Sequence, residues 1–94
     1  MNNLNSKIKS ILLTIAGDNY RELVIIALAW KKTMGDLLSE RYKIVKFENN
    51  VLFIKAVNHV WLQDFVLYRP VYIEKLRKET NIDVQNIIVS ISNS

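Results

Sequence analysis

The sequence predicts a small α+β domain in the order α-α-β-β-α-β, a three-stranded sheet with its helices packed on one face. Three observations predict it. Apolar residues recur at helical spacing up to about residue 40. From Tyr42 to Val57 the period falls to two on either side of Asn49-Asn50. A second helical pattern then leads to a short closing run, VQNIIVSI, over 84–91.

Leu4, Ile8, Ile11, Leu12 and Ile15 predict an amphipathic helix over about residues 3–16, closed by Gly17 in a left-handed conformation. Asn19 with Glu22 reads as a capping box for a second helix over about 20–40. Its buried stripe is Leu23, Ile26, Ala27, Trp30, Met34 and Leu37, widened by Val24, Ile25 and Leu28. So broad an apolar surface implies cover on two sides. Gly35 inside this helix costs about 1 kcal/mol relative to alanine. Close approach of another element, or fraying, would account for it.

Asn49-Asn50 fits a two-residue type I′ turn, because asparagine tolerates positive φ. That turn predicts the pairs Glu48–Val51, Phe47–Leu52, Lys46–Phe53, Val45–Ile54 and Ile44–Lys55. Phe47, Val45, Leu52, Ile54 and Ala56 then face the core, while Lys46, Phe53, Lys55 and Ile44 face away. Asn58 can cap a helix over about 59–79. Its inner stripe is Leu62, Phe65, Val66, Tyr72, Ile73 and Leu76, with Trp61 and Tyr68 on a neighbouring line. Pro70 removes a backbone donor and disfavours helical geometry at Arg69, so a kink or two short helices are expected near 69. A turn at Asn81-Ile82-Asp83 leads into the closing strand.

At 94 residues the chain reads as one domain, 1–94. Cysteine is absent, which excludes disulfides, thiolate metal sites and cysteine nucleophiles. The longest apolar run, LVIIALAW over 23–30, falls short of the roughly 20 residues a bilayer needs. No small-residue cleavage site follows the N-terminal apolar stretch, so a soluble cytoplasmic chain is expected. The net charge of +4 makes an anionic partner plausible.

Catalytic signatures are missing. His59 is the single histidine and reads as a helix-start residue, and two glycines cannot build a phosphate-cradling loop. Lys32–Asp36 and Glu74–Lys78 read as i,i+4 ion pairs, and Asp36 with Glu40 as a solvated face. No metal or cofactor is expected. Lys46, Phe53 and Lys55 match the chemistry of single-strand binding, in which cations meet phosphates and a ring stacks on a base. They equally fit an edge hairpin guarded by lysine, and spacing alone favours that reading. Lys31 and Lys32 extend the basic inventory; Lys75, Arg77 and Lys78 suit the end of a helix dipole. Trp30 and Trp61 read as core residues.

Four segments in order, AWKKTMGDLL (29–38), VLFIKAVNHVWLQDF (51–65), RPVYIEKL (69–76) and NIDVQNIIVSI (81–91), make the chain resemble the DciA family over about residues 20–91. The pattern is a tryptophan five residues before a helical glycine, an apolar alternation, then a second tryptophan heading an amphipathic helix. The resemblance implies a KH-like fold, no catalytic activity, binding to the ring-shaped replicative helicase and affinity for DNA. The family's matching positions, Trp30, Gly35, Leu52, Trp61 and Leu76, are taken as fold-determining. The chain has Asn50 where the family usually has a turn glycine, and a basic SERYKIVK where it usually has threonine or proline. Many relatives carry a long extension implicated in helicase contact, whereas this chain ends three residues after Ile91. Without a glycine-containing clamp loop, DNA contact should be electrostatic and weakly sequence-dependent.

Together these readings predict a non-enzymatic, cytoplasmic accessory to helicase loading. Lys43, Lys46, Phe53 and Lys55, with Lys31 and Lys32, would hold single-stranded or forked DNA. The alternative is a protein-interaction domain without nucleic acid, self-associating through a sheet edge into a weak homodimer by way of Ile44 and Phe53.

Overall fold

The computed structural model describes residues 18–92, so the helix expected over 3–16 lies outside the described residues. Helix α1 runs Asp18–Arg41, strands β1 and β2 run Tyr42–Glu48 and Val51–Ala56, helix α2 runs His59–Thr80, and strand β3 runs Asn86–Ile91. The sheet order is β1-β2-β3, with β1 antiparallel and β3 parallel to the central strand. A parallel neighbour needs a crossover, and α2 provides it. Both helices pack over one face of the sheet and close a single core. This is the α+β arrangement expected, with α1 starting one residue before the Asn19 read as its cap.

The Asn49-Asn50 corner forms as its chemistry requires. Both residues have positive φ, 53° and 64°, as a type I′ turn demands. Asn50 also reaches across the sheet. Its Nδ2 donates to the Asp83 carbonyl at 2.9 Å, and the Gln85 N–H donates to the Asn50 carbonyl at 2.8 Å. Asparagine in place of glycine thus ties the hairpin to the segment that leads into β3.

Three of the expected hairpin pairs occur: Glu48–Val51, Phe47–Leu52 and Lys46–Phe53. The next two do not. A bulge at Val45 shifts the register, so Ile44 pairs with Ile54, Lys43 with Lys55 and Tyr42 with Ala56. Val45, expected in the core, is 47% exposed, and Ile44, expected outside, packs against the core. The physical reason lies two residues upstream. Uninterrupted alternation would send Lys43 inward and Tyr42 outward, and burying an unpaired ammonium costs far more than one unpaired strand residue.

Tyr42 becomes the centre of the core. It is fully buried, its hydroxyl donates to the Trp61 carbonyl at 2.7 Å, and its own carbonyl accepts from Trp30 Nε1 at 2.9 Å. Its ring meets Phe65 edge-on at 5.1 Å and Trp61 at 6.1 Å. Burial, reinforced by the Asp64 carboxylate, pushes the Tyr42 phenol above its usual 10.0, and burial does the same to Tyr72. A raised acid stays neutral in the fold while the unfolded chain ionises. Stability is therefore full below about pH 10 and falls as pH rises beyond it. Urea unfolding at pH 8 to 11 should show that alkaline loss, and Tyr42→Phe should shrink it while lowering stability at pH 8 by about 1 kcal/mol through the lost hydrogen bond to the Trp61 carbonyl.

Two helix expectations need correction. Gly35 sits at φ 87°, ψ 168°, a non-helical kink within α1. A Cβ built there would meet nothing within 4 Å, so neither close approach nor fraying explains the glycine; the backbone conformation does. The kink also breaks the helical phase. Leu38 rather than Leu37 packs on the core, Leu37 being 54% exposed, and Asp36 pairs with Lys31 at 3.6 Å rather than with Lys32. Pro70, by contrast, does not divide α2, which is continuous. Val66 and Pro70 are both exposed, so the Val66 carbonyl that loses its donor lies toward water; the same exposure removes Val66 from the inner stripe. Asn58 caps α2 as expected, accepting from the Trp61 N–H at 3.0 Å. Glu74 and Lys78 form no ion pair among the described residues.

Candidate nucleic-acid interface

The sheet face opposite the helices is built by the outward residues of all three strands. Register places Lys43 beside Lys55 and Lys46 beside Phe53 across the hairpin, with Ile88 beside Phe53 on the parallel side. The result is an apolar centre, Phe53 and Ile88, with lysines toward the β1 side and one end. Lys46 Nζ lies 4.8 Å from the Phe53 ring centroid and 3.3 Å from Glu48 Oε1. A cation over a ring is a cation–π contact, so this lysine is already positioned by the aromatic it would share with a base.

Glu48 was not among the expected site residues. It faces outward because the turn starts immediately after it, and its carboxylate neutralises part of the Lys46 charge. Its position two residues from Lys46 on a strand was the available signal.

Lys31 and Lys32 lie elsewhere. They project from α1 in the helical layer, where Lys31 meets Asp36 and Lys32 meets Glu79 of α2 at 3.0 Å. The expected basic set therefore divides in two: Lys43, Lys46, Phe53 and Lys55 share one surface, and Lys31 and Lys32 belong to another. At the end of α2, Arg77 is 3.6 Å from Asp83 beside a shallow depression also lined by Asn81 and Ile82. His59 is exposed at the start of that helix.

The helical side carries a second feature. Val60, Leu67 and Val71 fall at i, i+7 and i+11 on α2, one line turned well away from the buried Phe65, Tyr72 and Leu76. They are 74%, 70% and 49% exposed. A helix apolar on both faces ordinarily has both covered.

Residues 4–89, most of the chain, match the family described as Dna[CI] antecedent, DciA. The chain belongs to the DciA family. A search of curated proteins finds no match to it. The DciA family is linked to loading of the replicative helicase. The positions that carried the resemblance have clear places in this DciA fold. Trp30, Leu52 and Leu76 are core, Trp61 is half-buried against Tyr42, and Gly35 makes the α1 kink. Among the described residues, no helix of this DciA member is long and apolar enough to cross a membrane.

Proposed function

We propose that this chain is a non-enzymatic, cytoplasmic accessory protein that binds the replicative helicase and DNA and assists helicase loading. The observation that carries the reading is the separation of two unlike surfaces by one core. The outer sheet face offers lysines around Phe53, and the outer line of α2 offers Val60, Leu67 and Val71. A single strand laid on the sheet would place phosphates against Lys43, Lys46 and Lys55 and a base against Phe53. A helicase surface would cover the apolar line of α2. The protein then bridges the two partners without a reaction of its own.

Capture of the helicase from a bacterial lysate tests the protein half, with and without nuclease. Recovery should survive nuclease and fall at least tenfold for the double variant Leu67→Asp/Val71→Asp, whose circular dichroism should match the parent because neither side chain touches the core. Full recovery by that variant would move the contact off α2. Recovery that vanishes with nuclease would mean that DNA alone bridges the two, and no recovery in either condition would leave an interaction domain with another partner.

A further inference from the structure

The two edges of the sheet are built differently. β1 carries Lys43, Lys46 and the Val45 bulge, devices that repel an incoming strand. β3, NIIVSI, has no charge, proline, glycine or bulge, and among the described residues no strand lies beyond it. Ser92 donates its N–H to Ala56 in the central strand at 2.9 Å. Backbone groups alternate along a strand, so Ile88 and Ser90 also turn toward β2, while Ile87, Val89 and Ile91 turn theirs to the open edge. Asn86 supports this: its Oδ1 accepts the Ile87 N–H at 2.8 Å, a side chain covering one outward donor in the absence of a neighbouring strand.

We propose that the β3 edge is an interface for a second copy of this chain, whose β3 adds antiparallel about a two-fold axis at Ile88. The strand is complementary to itself in that register. Ile88 faces its own copy, Ile87 faces Val89, and Asn86 faces Ser90, so apolar meets apolar and polar meets polar with no like charges opposed. Ile87 and Val89 form the hydrogen-bonded pairs, and the Ile87 N–H exchanges Asn86 Oδ1 for a partner carbonyl. Ile88, 43% exposed in the single chain, becomes covered beside Phe53. The sheets of both copies become one, and their lysine-bearing outer faces join. This interface does not depend on what either face binds.

The strand alone is a small contact, so association should be weak, with dissociation constants in the range of about 10 μM to 1 mM. Sedimentation equilibrium across that range should show the mass rising toward the dimer, whereas Ile88→Lys, which opposes two ammonium groups at the axis, should stay monomeric with an unchanged dichroism spectrum. Absence of cysteine makes a sharper test available. Cα atoms of a non-hydrogen-bonded antiparallel pair lie about 4.5 Å apart, within disulfide reach. Ile88→Cys should therefore crosslink on mild oxidation, and Ser90→Cys, which faces Asn86, should not. A monomer at every concentration would overturn the proposal. So would dimerisation of Ile88→Lys at parent strength, or equal crosslinking of both cysteine variants. Slow exchange of the Val89 amide in a monomeric sample would also overturn it, since the chain itself would then cover the edge.

Discussion

Replacing Lys46 and Lys55 together by glutamine should weaken binding to a labelled single strand about 25-fold at 0.1 M salt. The figure follows from counterion release. Each phosphate contact on single-stranded DNA contributes about −0.7 to the slope of log affinity against log salt, so each lost contact is worth about fivefold at 0.1 M. With Lys43, Lys46 and Lys55 all engaged, the parent slope should be about −2; the double variant should retain about −0.7. Phe53→Ala should act differently. Losing one stacked base is worth about 1–3 kcal/mol, which lowers affinity at every salt concentration and leaves the slope alone. Glu48→Gln should move the other way, because Lys46 Nζ, 3.3 Å from that carboxylate, would no longer be shared with it. Fluorescence anisotropy over a salt series reads all four. Parent-like affinity and slope in the lysine and Phe53 variants would take DNA off this face, whatever the helicase does.

The pattern of those residues shows what the chain's chemistry reveals locally and what only packing decides. Lys46 and Phe53 were legible because they stand close to a turn whose two asparagines allow one register. Lys43 was named for its charge and not from its register, since strict alternation places it in the core and only the Val45 bulge turns it out. Bulges arise from competition between neighbours, here an ammonium against a phenol, and periodicity averages over such competition. Ile88 escaped notice for another reason. β3 joins the sheet through a helix rather than a turn, so no local geometry sets its register against β2. Lys31 and Lys32 share the sign of the others but stand on the helical layer, a separation that charge counting cannot see.

Gly35→Ala should destabilise the fold by about 2 kcal/mol, a fall of roughly 10 °C in Tm for a domain of this size. The sign is the informative part. In a regular helix the same change would stabilise by up to about 1 kcal/mol, because alanine is the better helix former. Crowding cannot explain a loss, since the added methyl would stand in open space. Only the backbone can: φ 87° with ψ 168° is a region that L-residues essentially do not occupy. Straightening α1 to relieve the strain would change how Arg41 hands the chain to Tyr42, and would pull Trp30 Nε1 from the Tyr42 carbonyl that it meets at 2.9 Å. Tryptophan emission should shift to the red. D-alanine introduced at position 35 by chemical synthesis inverts the argument. Its mirror-image preferences suit these angles, so it should match or exceed glycine in stability by restricting the unfolded chain. A rise in Tm for the L-alanine variant would mean that α1 runs straight through position 35, and the displacement of Leu37 in favour of Leu38 would lose its cause.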